Sequence, residues 1–371
     1  MKHSLFVSNY AFFSVLGLVF MLNSCMPGEG GNAANGKVIE PFRVTERLPH
    51  DTDDPAIWID SLNPGQSLIL GTDKDANGGL YVFDLSGKID TQRSVTGLQR
   101  PNNVDVEYGL LLGGKKTDIA VVTERLTHKL RVYSLPDFRA IDQGGIEVFE
   151  GETGLGYRDL MGIALYRDNN GNVYAIVGRK NGPKDGSYLW QYRLEDNGQG
   201  AVSARLVRKF GNYSGQNEIE SIMVDDRLGY IYYSDEGVGV RKYYADSAKG
   251  NEELALFGKE GFSVDHEGIS LYEISDSTGF ILVSDQGSNR FHVFPREGVA
   301  GKSHIHPDIR VVHVQAKESD GSDITSIPLG TAYPRGIFVV MSTDRTFHYY
   351  LPEKIFGDSL LNIPAAVQRI P

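Results

Sequence analysis

The chain of 371 residues has one cysteine, Cys25, which excludes an internal disulfide and any thiolate metal site. Tryptophan is almost missing, with two residues, and proline is modest at 15 against 43 glycines. That balance suits many tight turns and not a disordered chain. Positive charge is in deficit: 37 Lys and Arg stand against 48 Asp and Glu, for a net charge of −11. The surface as a whole attracts neither nucleic acid nor an anionic membrane, so an anionic ligand needs a local basic cluster or bound cations. No G-x-S-x-G elbow is present, so nothing in the pattern argues for a covalent serine route. Few segments sustain a 3.6-residue apolar period, which argues against βαβ units and helical bundles. Long apolar runs are lacking too. The apolar stretch at residues 11–22 falls short of the roughly 20 residues that span a bilayer and suits the core of a signal peptide.

The lone cysteine fits that segment. "LNSC", ending at Cys25, resembles the bacterial lipobox, in which small residues precede a cysteine that is lipidated and becomes the mature N-terminus. A plain secretory signal with an incidental cysteine, or an uncleaved anchor, is the alternative. The expected organisation is a lipoprotein signal peptide over residues 1–24, a flexible tether over 25–37 containing "PGEGGNAANG", and a folded domain over 38–371. The expected location is the bacterial envelope, at the outer membrane on its periplasmic or cell-surface side, with membrane contact only through lipid on Cys25.

What is present is a repeat. A short apolar strand runs into Thr, Ser or Gly and a polar pair, followed by an aromatic-rich alternating strand. Copies begin at Leu68, Ile119, Val173, Tyr230, Phe280 and Ile337, at intervals of 50 to 57 residues. Six β units of this size predict an all-β, six-bladed β-propeller with four-stranded antiparallel blades around a central channel. A two-sheet sandwich is the rival. Five copies follow another short strand with acid or amide near its start: "DDPAIWI", "NNVDVEY", "MGIALYR" after Asp159, "EIESIMV" and "DHEGISLY". These read as the inner strands of their blades. The sixth unit offers only the weakly strand-like "SDGSDITSIPLG" at residues 319–330.

Antiparallel neighbours bring the start of one strand beside the end of the next. One mouth of the channel should therefore gather Asp53, Asp54, Asn102, Asn103, Asp105, Asp159, Glu220, Asp265, Glu267 and Asp323 from the inner strands. Lys74, Arg125, Lys180, Glu236, Gln286 and Asp344 should join them from the second strands. Several carboxylates converging on one place need cations to stay ionised. Oxygen ligands without cysteine or clustered histidine select Ca²⁺ or Mg²⁺, and Ca²⁺ tolerates ligands drawn from separate blades. Acids beside Lys and Arg suggest an anion bridged to protein through metal, with phosphate esters the leading class. "HIH" at 304–306 could supply half a metal site but reads more simply as a solvated loop, and "GGKK" at 113–116 as an exposed turn.

Together "DTDDPAIWID", "NNVDVEYGLLLGGKKTDIA", "EIESIMVDDRLGYIYYSDE", "DHEGISLYE" and "SDQGSNRFHVF" resemble the β-propeller (alkaline, calcium-dependent) phytases, over residues 40–353. The resemblance implies hydrolysis of calcium-complexed myo-inositol hexakisphosphate by metal-activated water, with several Ca²⁺ ions; a monomer is expected. It implies a metal-facing set of Asp53, Asp54, Asn102, Asn103, Asp105, Glu220, Glu236, Asp265, Glu267, Gln286 and Asp320. It implies a catalytic set of Lys74, Arg125, Lys180, Glu220 and Glu236, the basic members gripping phosphate. An early Glu ligand is also implied, with Glu40 and Glu46 as candidates.

The chain departs from the family pattern at four places. Asp75 follows Lys74 where a second lysine is common, Met161 precedes Gly162 where tyrosine is usual, and Asn181 and Thr325 replace acids. These losses keep open a lipid-tethered propeller that binds calcium and ligand without turnover; a lactonase-type propeller hydrolase is a third reading, which does not explain Lys74, Arg125 and Lys180.

Overall fold

The computed structural model describes residues 36–263 and 265–361. After a two-residue strand, β1 (Arg43–Val44), the chain lays down blade 1 from β2 (Thr52–Trp58), β3 (Leu68–Asp73), β4 (Gly78–Phe83) and β5 (Val95–Leu98). Blade 2 is β6 (Pro101–Leu112), β7 (Lys115–Glu124), β8 (Lys129–Leu135) and β9 (Ile146–Glu147). Blade 3 is β10 (Leu160–Arg167), β11 (Val173–Arg179), β12 (Leu189–Asp196) and β13 (Val202–Phe210). Blade 4 is β14 (Ile222–Asp225), β15 (Tyr230–Asp235), β16 (Gly239–Tyr244) and β17 (Ala255–Phe257). Blade 5 is β18 (His266–Glu273), β19 (Gly279–Asp285), β20 (Arg290–Pro295) and β21 (Arg310–His313). Blade 6 is β22 (Ser322–Thr325), β23 (Ile337–Ser342) and β24 (Thr346–Tyr350). Its fourth strand is β1, paired antiparallel to β24 with Arg43 opposite Tyr349.

Six separate four-stranded sheets exclude the sandwich and give the expected propeller. Closure of the ring by β1 was not foreseen, because two residues carry no periodicity to read. A short C-terminal helix, α1 (Pro352–Leu361), was not foreseen either; it buries Ile355, Phe356 and Leu361 in the cluster between blades 5 and 6.

The core lies between blades. Each of six apolar clusters joins residues of two adjacent blades. Within β7, Ile119 and Val121 face blade 3 while Ala120 and Val122 face blade 1. Both faces of such a strand are covered, so it reads as a continuous apolar run and not as alternation. Each fully buried Val, Leu or Ile contributes about 1.5–3 kcal/mol relative to exposure, and packing on both sides keeps the blades in one order.

The "GGKK" segment forms the hairpin turn between β6 and β7, with Gly113 and Gly114 at φ of 57° and 76°. "HIH" is structural: His306 is buried, its Nδ1 bonds Pro295 O (2.7 Å) and its Nε2 lies 3.2 Å from the buried Lys242 Nζ. Cys25, the signal segment and all but the last two residues of the tether lie outside the described residues. Among the described residues no helix is long and apolar enough to cross a membrane.

Candidate active site

Four inner strands carry a β-bulge at the same place. Thr52 faces Asp73 and Pro55 faces Gly71, so three steps on β2 match two on β3. The same shift occurs between Pro101 and Val104, Leu160 and Ile163, and His266 and Ile269. A bulge bends its strand and re-aims the two residues it contains. Those pairs are Asp53-Asp54, Asn102-Asn103, Met161-Gly162 and Glu267-Gly268. In blades 4 and 6 the strand begins later, and Glu220-Ser221 and Asp320-Gly321 hold the matching places through Ser234 N to Ser221 O (3.1 Å) and Met341 N to Gly321 O (3.0 Å).

In Asp53-Asp54 and Glu220-Ser221 the two members serve different tiers. The acidic first members face the mouth: Asp53, Glu220 and Asp320 bring carboxylate oxygens within 4.8 Å of one another. Glu220, Glu267 and Asp320 line a cleft of about 610 Å³ with Lys74, Lys180, Glu218, Glu236, Asp265 and Gln286. Second members face inward: Asp54, Asn103 and Ser221 line a cavity of about 290 Å³ in the channel with Asp105 and Asp323. Asp105 joins Asn103 there because residues two apart on a strand share a face.

The inner tier ties blade to blade. Asp54 Oδ2 accepts from Val104 N (3.1 Å), Asp105 Oδ2 from Leu165 N (2.7 Å), Ser221 Oγ from Ile269 N (2.8 Å) and Asp323 Oδ2 from Ile57 N (2.8 Å). A second set of ties comes from the hydroxyl before the polar pair in four of the six repeats. Thr72 Oγ1 donates to Asn102 O (2.5 Å), Thr123 Oγ1 to Met161 O (2.8 Å), Ser234 Oγ to Glu267 O (2.8 Å) and Ser284 Oγ to Ser319 O (2.9 Å). Buried amides and carbonyls facing a channel need such partners. Thr72, Thr123 and Ser234 thus hold the next blade's bulge in place, and Ser284 holds the segment leading into β22.

At the mouth the cations are paired. Lys74 Nζ lies 2.6 Å from Asp53 Oδ1 and 3.1 Å from Asp320 Oδ2, Arg125 Nη2 lies 3.7 Å from Glu220 Oε1, and Lys180 Nζ bonds Glu218 Oε1. Gln286 Nε2 donates to Asp320 Oδ1, and Asn102 Nδ2 to Asp53 Oδ2 (3.1 Å). Burial disfavours the Lys74 ammonium, but the facing Asp53, Asp320 and Glu220 carboxylates outweigh it and raise its pKa. Burial pushes Asp53 up to about 6 and Glu236 up to about 7. It raises Glu220 and Glu267 well above the usual carboxylate range, with neighbouring acids adding to the effect. Among the described residues, Asn102 Oδ1, Asn103 Oδ1 and Glu267 Oε2 are buried acceptors that meet no donor. Such oxygens are costly unless something electropositive meets them.

The structure therefore gathers Asp53, Lys74, Arg125, Lys180, Glu220, Glu236, Asp265, Glu267, Gln286 and Asp320 at one mouth, with Asn102 bonded to Asp53. It places Asp54, Asn103 and Asp105 one tier lower. Asp159 and Asp344, expected in the same ring, do not line the cleft: Asp159 Oδ1 lies 3.7 Å from His128 Nδ1, and Asp344 Oδ1 accepts from Thr346 Oγ1 (2.5 Å). Glu46 accepts from Ile89 N (2.8 Å), and neither it nor Glu40 lines the cleft. Of the departures, Asp75 accepts from Asn77 N (3.0 Å) in a turn, and Asn181 Nδ2 donates to Leu155 O (3.1 Å). Buried Met161 has its sulfur against Arg125 Nη2. Thr325 faces the channel cavity and not the mouth. Sequence reasoning missed Glu218, although its spacing of two from Glu220 in "EIE" places both on one side of an extended segment.

A family model described as Phytase matches residues 37–347. The chain belongs to the phytase family. It is similar to the 3-phytase of Bacillus subtilis (strain 168), with 29% identity over 318 residues, 80% of this chain and 78% of that one. Among solved structures, one of the Dos1 propeller aligns at a TM-score of 0.42 with 12% identity, over 81% of this chain and 67% of that chain. As a phytase-family enzyme the protein is a phosphatase.

Proposed function

We propose that the protein is a calcium-dependent phosphomonoesterase that releases phosphate from calcium-complexed phytate, and that the mouth cleft is where it does so. The observation that carries this reading is the charge pattern. Among the described residues that line or pair at the cleft, seven carboxylates (Asp53, Glu218, Glu220, Glu236, Asp265, Glu267 and Asp320) meet three cations (Lys74, Arg125 and Lys180). With all of them ionised, four negative charges stay uncompensated, enough for two divalent ions.

The oxygen-only donor set fits Ca²⁺. Asp53, Glu220 and Asp320 are close enough to share an ion, and Glu267 Oε2 and Asn102 Oδ1 supply unmet acceptors beside them. Asp54 and Asn103 would hold metal in the lower tier. Bound there, divalent ions would supply neutralising charge to phosphate oxygens and lower the pKa of water beside them. The chain's own residues do the rest. Lys74, Arg125 and Lys180 hold the remaining phosphate oxygens, and the mouth carboxylates fix the approach of water. Water oxygen bonds to phosphorus, the ester P–O bond breaks, and the proton lost by water ends on the departing alcohol oxygen. Buried Arg125 and half-buried Lys74 are preorganised for this by the carboxylates that pair with them.

The test is phosphate release from calcium phytate before and after chelation with EDTA. Loss on chelation and recovery with added Ca²⁺ is expected. Activity indifferent to chelation would overturn the metal role, and saturable phytate binding without phosphate release would overturn the hydrolytic one. The N-terminal reading belongs to the same proposal: processing at Cys25 would tether this hydrolase to the envelope, and metabolic labelling with a fatty-acid analogue, lost in Cys25→Ser, checks it.

A further inference from the structure

Of the three cations at the mouth, Lys74 and Arg125 are sequestered, with side chains 14% and 8% exposed, whereas Lys180 is 44% exposed. Lys180 follows β11 directly, and its amide is pinned to Asp159 O (2.8 Å). It is the cation that an arriving polyanion meets first. Its ammonium is already taken by Glu218, from the loop between β13 and β14. That loop is firmly held around Glu218. Glu218 O accepts from Glu236 N (3.3 Å), the preceding Asn217 O accepts from Tyr213 Oη (2.6 Å), and the following Ile219 is fully buried. Its backbone is therefore held in place, and its carboxylate faces Lys180 in the same cleft as Glu220 and Glu236.

We propose that Glu218 is a positioning residue that gates Lys180 and makes the cleft select the metal complex of a polyphosphate over the free polyanion. This rests on the reading of Lys180 as phosphate-facing. A free polyanion must break the Lys180–Glu218 pair and leave Glu218 facing its own negative charge. A polyanion arriving with divalent ions offers Glu218 a cation as it offers Lys180 an anion, so both partners exchange without a charge left unmatched. Like charges set against one another are a recognised route to specificity.

The experiment starts without calcium. In EDTA, binding of inorganic phosphate is followed by ³¹P NMR titration in wild type, Glu218→Gln, Glu218→Asp and Lys180→Met, and in the Glu218→Gln/Lys180→Met double variant. Glu218→Gln should tighten phosphate binding by about two- to fivefold, the scale of an exposed ion pair, while Glu218→Asp stays near wild type. The gain should vanish with Lys180→Met, as coupling between two contacting residues requires. With calcium phytate, Glu218→Gln should lower KM chiefly at low calcium and flatten the dependence of KM on calcium. Unchanged phosphate binding in Glu218→Gln, or the same gain in the double variant, overturns the gate. Wild type that releases no phosphate from calcium phytate would instead overturn the functional reading, and the phosphate titration would still decide the gate.

Discussion

Lys74 and Asp320 lie 246 residues apart in the chain and 3.1 Å apart in space. One closes the second strand of blade 1, and the other precedes the first strand of blade 6. Their meeting, with Asp53 beside them, joins the first and last blades at the mouth, where β1 has already joined them at the rim. Ring closure and site assembly are therefore one event.

Chelated protein should become less stable as pH rises from 5 to 8. Burial pushes Asp53 to about 6 and Asp105, Glu107, Glu236 and Asp323 to about 7. Their unfolded values lie near 4. Groups whose folded pKa is raised contribute stability that is complete below the unfolded value and lost as pH climbs through the folded one. Melting in EDTA should thus fall between pH 5 and pH 8. Added Ca²⁺ should cancel or reverse the fall, because bound ions favour the ionised forms. A melting temperature in EDTA that rises over this window would refute the account.

Arg125→Met should lower kcat by about 10²–10³-fold, the scale of losing one preorganised donor to a developing charge. Arg125 offers no oxygen, so the rise in melting temperature caused by Ca²⁺ should persist. Kinetics and melting with and without calcium separate the two. Loss of the calcium-induced rise would show that Arg125 acts by holding Glu220 for metal.

Gly162→Ala should destabilise the fold and disable the site together. A Cβ at Gly162 would stand 2.1 Å from Glu220 O and 2.8 Å from Glu220 C, so blade 4 must move away from blade 3. Overpacking of this kind costs about 1–3 kcal/mol, measured from the denaturant midpoint, and it carries Glu220 with it. Gly65→Ala, where nothing lies within 4 Å of the added carbon, is the control and should leave both properties alone. Retained activity in Gly162→Ala would mean Glu220 does not depend on that approach.

Much of this was legible beforehand. The recurring Thr or Ser ahead of a polar pair is visible in "LGTD", "VVTE", "YSDE" and "VSDQ", and the structure gives its cause in the hydroxyl that ties each of those four blades to the next. The acid after it is also explained locally. Asp235 and Asp285 accept from Ser214 and Ser263 amides in the loops that lead into blades 4 and 5, which leaves Glu236 and Gln286 to face the mouth. Less legible was the division of "DD" and "NN". Neighbours on a bulge point to different tiers, and a bulge is set by pairing with another strand, which no single segment records.

Sequence alone was enough for six like units and for the acid-rich, cation-poor chemistry of their shared end, because strand burial and residue type are local properties that repeat. Which oxygen faces an ion and which an amide, and which lysine stands open, depended on contacts between blades distant in the chain. Those contacts exist only once the ring has closed, so only the tertiary structure could decide them.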